Sequence, residues 1–145
     1  MASLRGTMRR YVLDANALIS FLEERHGAGD KVRHLLSEAL RQERPLLMSA
    51  VNWGEVFYIA WKLHGEGPAR AAEAKVQQLP IAIIAVDRER ATRAAALKQK
   101  HGLGYADSFA AELAVEEQGW LVTADPEFKK LGKSLAIYSL PRHER

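Results

Sequence analysis

The sequence contains no cysteine, which excludes disulfides, thiolate nucleophiles and zinc–thiolate sites together. No apolar run approaches the ~20 uninterrupted residues that a membrane span needs, and residues 1–10 are basic and polar, without the apolar segment of a signal peptide. These absences suit a cytoplasmic protein with no membrane partner. Charge of one sign is in little excess: 21 Lys and Arg against 18 Asp and Glu leave +3. That balance is compatible with a nucleic-acid partner and does not argue for one. Histidine is sparse. The five, His26, His34, His64, His101 and His143, fall in loops, helix ends or the tail. Surface positions are expected for all of them, and none is assigned as a base.

What is present reads as one domain. At 145 residues and 48% apolar, the chain can bury about two-thirds of its unfolded surface. Tyr11, Val12 and Leu13 form a short apolar run ending on Asp14, and a helical stripe of Leu18, Ile19, Phe21 and Leu22 follows at once. After the break at residues 26–29, Asp30 is expected to cap a second helix with Val32, Leu35, Leu36, Ala39 and Leu40 inward. Residues 45–49 read as a second strand and 50–63 as a helix, with a further helix over 69–79. Residues 81–86, apolar throughout, predict a strand covered on both faces. Asp87 caps a helix to residue 100, residues 101–104 form a hinge, and 105–118 are helical with Phe109, Ala110, Leu113 and Ala114 inward. A strand at 120–123, a helical turn at 126–131 and a last strand at 135–140 complete the order. Strands alternating with helices predict a three-layer α/β/α fold, with a mostly parallel central sheet of about five strands flanked by helices. Residues 1–9 are expected to be a flexible segment, 10–140 the domain and 141–145 a charged tail.

Four acids stand out by position. Each has a structural explanation: Asp14 as a turn or cap after its strand, Glu55 as part of a variant capping box with Asn52, Asp107 in a helix first turn, and Asp125 as an N-cap before Pro126. Together they are harder to explain that way. In a doubly wound parallel sheet all four tend toward one rim, at the crevice where strand order reverses. Two unscreened carboxylates ~4 Å apart repel by about 4 kcal/mol at an effective dielectric of ~20, so the set calls for a cation or for protons. All-oxygen ligation suits Mg²⁺ or Mn²⁺. Asp87 serves as a control, since its strand should lie toward a sheet edge, where capping alone explains it.

The motifs Leu13-Asp14-Ala15-Asn16, Ser49-Ala50-Val51 with Glu55-Val56, Ala106-Asp107-Ser108 with Ala110-Ala111, and Thr123, Asp125 and Phe128 resemble the ordered signature of PIN-domain ribonucleases. The nearest likeness is to the short toxins of VapBC toxin–antitoxin pairs, and it runs from about residue 10 to 140. The resemblance implies a sheet with its first and fourth strands adjacent at the centre, and Mg²⁺- or Mn²⁺-dependent endoribonuclease activity through one ion or two. It implies Asp14, Glu55 and Asp107 as core metal ligands and Asp125 as the fourth acid, all four catalytic. Thr123 would orient the Asp14 carboxylate. Asn16 stands where the family has threonine or serine, and its amide still offers a donor and an acceptor. Hydrolysis would leave a 3′-hydroxyl and a 5′-phosphate, with transfer or ribosomal RNA loops as family substrates and a cognate antitoxin as partner.

Arg9, Arg10, Lys129, Lys130 and Lys133 are expected near the rim as RNA contacts, whereas Arg88, Arg90, Arg93, Lys98 and Lys100 read as the solvated face of one helix. Trp53, Phe57, Tyr58 and Trp61 exceed what one inward helix face needs, which suggests an apolar surface for a homodimer or an antitoxin segment. Two other readings stand beside the toxin: a stand-alone PIN nuclease in RNA processing or DNA repair, and a non-catalytic binding module whose acids are only caps.

Overall fold

The computed structural model describes residues 9–142; the residues 1–8 of the expected N-terminal segment and 143–145 of the tail, with His143, lie outside the described residues. Five parallel strands, β1 (Tyr11–Leu13), β2 (Leu46–Ser49), β3 (Ile81–Ile84), β4 (Trp120–Thr123) and β5 (Ala136–Ser139), form one sheet in the order β3-β2-β1-β4-β5. The helices are α1 (Ala15–Leu22), α2 (Ala28–Arg41), α3 (Ala50–His64), α4 (Glu66–Gln77), α5 (Arg88–His101) and α6 (Tyr105–Glu116), and a 3₁₀ segment spans Pro126–Ser134. This is the expected α/β/α architecture. Among the described residues, no helix is long and apolar enough to cross a membrane.

Alternation along the central strands divides the core into two layers. Leu13, Leu46, Met48 and Val122 face α1, α2 and Val56 of α3; Val12, Leu47 and Leu121 face Ala110, Ala111, Leu113 and Ala114 of α6, with Phe128 and Leu131. Strand β1 is paired on both sides, Val12 opposite Leu47 and Leu121, so the connection into β2 runs one way across the sheet and β4 joins from the other. The reversal falls between β1 and β4, the two strands followed by Asp14 and Asp125. A crevice therefore opens beyond their carboxyl ends.

Several local expectations need correction. Asp30 does not precede α2 but stands at its third position, where it accepts a hydrogen bond from the Gly27 N–H at 3.0 Å. Leu40 is 70% exposed, because it lies one residue round the helix from the inward Ala39. Strand β3 stops at Ile84 and sits at the sheet edge, where Ile83 is 40% exposed, so its apolar run is not covered on both faces. Helix α4 begins at Glu66, which puts Pro68 within its first turn, where a missing N–H costs no helical bond. Gly102, at φ +68°, ends α5 in the left-handed region that favours glycine and turns the chain into α6.

Candidate metal centre

Asp14, Glu55, Asp107 and Asp125 line one small cavity of ≈ 220 Å³, together with Ala15, Asn16, Ile19 and Ile59. Each acid arrives from a different element. Asp14 follows β1 and caps α1, accepting from the Ala17 N–H at 2.8 Å. Asp125 follows β4 and caps the 3₁₀ segment, accepting from the Glu127 N–H at 2.9 Å. Capping therefore accounts for these two, as it does for Asp87, which accepts from the Arg90 N–H at 2.9 Å at the end of the edge strand.

The other two acids cap nothing. Ser49, not Asn52, caps α3, its hydroxyl accepting from the Val51 N–H at 3.3 Å. Glu55 thus projects from the second turn of α3, without the capping box the sequence suggested. Asp107 lies in the first turn of α6, behind Gly104, which provides no side-chain cap. A Cβ on Gly104 would stand 3.2 Å from Asp107 Oδ2, so the glycine leaves that carboxylate room beside the backbone.

The electrostatics are those of unneutralised acids. Burial pushes the Asp14 carboxyl up to about 7, and the negative charges of Asp107 and Asp125 add to the rise, while hydrogen bonds from Thr123 and Ala17 oppose it. Asp107 is pushed up to about 6, first by burial and then by Asp125, Glu55 and Glu127. Glu55 is raised by burial, with the Asn52 side chain pulling the other way. Among the described residues no ion pair reaches any of the four. Thr123 connects two of them: its hydroxyl hydrogen-bonds to Asp14, and its Oγ1 accepts from the Asp125 N–H at 3.0 Å. Asn16 is exposed at the lip, with Arg25 Nη1 donating to its Oδ1 at 3.4 Å.

Among the described residues, no trio of His, Asp or Glu side chains is arranged to hold a metal ion as it stands. The donor set nevertheless fits a hard cation. Mg²⁺ is commonly held by one or two carboxylates and keeps several waters, and this cavity offers carboxylates without counter-charge and, at ≈ 220 Å³, room for such waters. Of the histidines, His26, His34 and His64 are exposed and His101 is partly so.

The basic residues divide. Lys129 and Lys130 follow Asp125 on the 3₁₀ segment, with Lys130 paired to Glu127 at 3.2 Å. Arg9, Arg10 and Lys133, expected near the acids, line instead a cleft of ≈ 810 Å³ with Arg44, Gln118 and Ser134. The two arginines precede β1 and the acids follow its carboxyl end; parallel strands set these at opposite ends of the sheet, ~13 Å apart along the strand. Arg90 and Arg93, read as a solvated face, meet the buried Glu112 of α6 at 3.1 and 3.0 Å. Sequence reasoning also missed Ile19 and Ile59 as cavity walls. Their places in the inward stripes of α1 and α3 were the available signal.

A parallel α/β/α sheet with four carboxylates gathered at its reversal point defines an acid-centred α/β protein. The chain belongs to the PIN-domain family, whose model matches residues 11–134. Among solved structures, it is similar to VapBC from Salmonella typhimurium bound to DNA (TM-score 0.69, 18% identity, 91% of this chain and 98% of that one). It is likewise similar to VapBC2 from Rickettsia felis bound to a promoter DNA fragment (0.68, 18%, 90% and 98%). Mycobacterium tuberculosis VapC20, a sarcin–ricin loop cleaving toxin, shares the fold at TM-score 0.61 and 17% identity over 84% of this chain and 95% of its own. No curated protein sequence matches the chain.

Proposed function

We propose that this PIN domain is a Mg²⁺- or Mn²⁺-dependent endoribonuclease and the toxin of a toxin–antitoxin pair, inhibiting translation by cutting RNA. The observation that carries the reading is the single cavity lined by Asp14, Glu55, Asp107 and Asp125, two of which cap no helix. If the acids served only as caps, Glu55 and Asp107 would have no reason to be half-buried beside two other carboxylates.

The four carboxylates would hold the cation, with Asp14 the deepest and the most firmly fixed. A bound divalent ion supplies a water acidic enough to lose its proton near neutral pH, and positive charge beside the phosphate. Thr123 keeps Asp14 and the Asp125 backbone in fixed relation, so the two strand ends act as one rigid support. Asn16, at the lip, offers an amide to substrate or to a coordinated water. Hydrolysis leaves a 3′-hydroxyl and a 5′-phosphate. Of the basic residues expected at the rim, Lys129 and Lys130, on the 3₁₀ segment that follows Asp125, remain for gripping the RNA backbone.

Two surfaces support the reading of the partners. Ile19, Leu22, Val56, Ile59, Ala60, Leu63, Pro68 and Ala72 line an apolar groove of ≈ 700 Å³ between α1, α3 and α4, edged by Glu23 and His64. Such a groove fits an antitoxin segment, and the exposed Tyr58 and Trp61 of the same helix suit a homodimer contact. Relatives sharing the fold are toxin–antitoxin complexes, which supports the pairing. A small open reading frame abutting this one would be the antitoxin to co-express.

The test is cleavage of transfer and ribosomal RNA by purified protein, with Mn²⁺ or Mg²⁺ and with chelator. Cutting should require the metal, stop with chelator, and vanish in Asp107→Asn while that variant keeps its circular dichroism spectrum. Undiminished cutting by Asp107→Asn would remove the site assignment.

A further inference from the structure

Asn52 is 1% exposed, at the third position of α3, in the same inward stripe as Val56 and Ile59. Its Nδ2 donates to the backbone carbonyl of Ala106 at 3.0 Å, across 54 residues of sequence. Ala106 immediately precedes Asp107, and its carbonyl has a second lone pair available beyond the helical bond. Glu55 stands one turn along the same helix, α3, so the bond from Asn52 ties the helix that carries Glu55 to the start of the helix that carries Asp107. The Asn52 Oδ1, by contrast, is buried and accepts from no group among the described residues.

That imbalance is informative. A leucine has nearly the same shape and would fill the space without leaving a buried acceptor unpaired, which is unfavourable. The site is therefore better explained by the donated bond to Ala106 than by packing. That bond joins two acids of the candidate metal centre, Glu55 through the helix it shares with Asn52 and Asp107 through the peptide that precedes it.

We propose that Asn52 is a positioning residue: its amide ties the Glu55-bearing helix α3 to the Asp107-bearing end of α6, and so sets the spacing of these two carboxylates for the cation. This rests on the metal-site reading above. Asn52 does not line the cavity and touches neither ion nor substrate. It acts through its neighbours.

The test is calorimetric titration of Mn²⁺ into wild type, Asn52→Leu and Asn52→Thr, with thermal melts of the same samples. Asn52→Leu should keep or raise the Tm while its Mn²⁺ affinity falls ~10- to 100-fold, the usual range for groups that orient metal ligands. Asn52→Thr, with a single donor, should lie between. In a Glu55→Gln background the penalty of Asn52→Leu should shrink, because part of what Asn52 orients is already altered. Wild-type Mn²⁺ affinity in Asn52→Leu overturns the proposal, as does a penalty fully additive with Glu55→Gln. Should Asn52→Leu not fold, wild-type affinity in Asn52→Thr overturns it equally. A wild-type protein that neither binds Mn²⁺ nor cuts RNA overturns the nuclease reading itself; one that does both beside an unaltered Asn52→Leu overturns only the role of Asn52.

Discussion

Burial holds the Asp14 carboxyl at about 7, against 3.8 in its absence, so the ion-free protein should be less stable when that group is charged. The sign follows from proton counts. Below pH ~4 both folded and unfolded states are protonated at this group; between ~4 and ~7 only the folded state keeps the proton, and stability falls as pH rises. The loss attributable to Asp14 is up to about 4 kcal/mol once pH exceeds 7. Asp107, pushed up to about 6 but half-exposed, contributes in the same direction with less weight. Melts without metal should therefore show a higher Tm at pH 5 than at pH 8, and Asp14→Asn should flatten that slope. Added Mn²⁺ should stabilise more at pH 8, where its ligands are already ionised. A slope unchanged in Asp14→Asn would locate the titration elsewhere. Thr123→Val removes both the donor to Asp14 and the acceptor of the Asp125 N–H; its Mn²⁺ affinity should fall ~10-fold in the same calorimetric titration.

Between helices, the informative contact is Glu112, 3% exposed on α6 and held by Arg90 and Arg93 of α5. Glu112→Gln weakens three charged hydrogen bonds in a half-dry seam, which should lower stability by roughly 2–3 kcal/mol, read as a shift in urea midpoint with unchanged slope. A shift near zero would place the contact with ordinary surface pairs. The sequence could not show this seam, because helical periodicity tells which residues of α5 share a face but not which acid of another helix meets that face. The same limit hid Asn52. Its spacing from Glu55 suggested a local cap, while its partner, Ala106, lies 54 residues away. The four acids were legible for the opposite reason. Parallel strands point their carboxyl ends to one rim, so Asp14 and Asp125 meet by topology alone, and helices starting near that rim bring Glu55 and Asp107. The same rule, applied to residues that precede a strand, sends Arg9 and Arg10 to the far end. The edge placement of β3 showed in its rank in strand order, not in its unbroken apolar run.

At the scale of the molecule, exposed apolar surface is unevenly distributed. Of the six large hydrophobic side chains exposed among the described residues, Tyr58, Trp61 and Leu63 belong to the second half of α3. Leu63 lines the apolar groove while Tyr58 and Trp61 do not, and Ile19 and Ile59 line both that groove and the acid cavity. Helix α3 therefore contributes to two surfaces, one exposed and aromatic, the other a concave aliphatic groove. The aromatic one is already ordered within the chain, since Trp61 packs edge-on against Phe57 at 5.8 Å and Arg70 lies over both rings. Side chains fixed in this way lose little freedom on association, which favours a specific contact over diffuse stickiness. A homodimer through Tyr58 and Trp61 would leave the groove open for an antitoxin segment, whereas a dimer through the groove would close it. Light scattering at tens of micromolar should give the mass of two chains, and Trp61→Glu should return it to one without loss of metal-dependent cleavage. Ala60→Glu, directed at the groove, should leave the dimer intact and weaken only the antitoxin. A monomer at every concentration would instead assign the aromatic surface to the antitoxin as well, and Trp61→Glu would then weaken that complex.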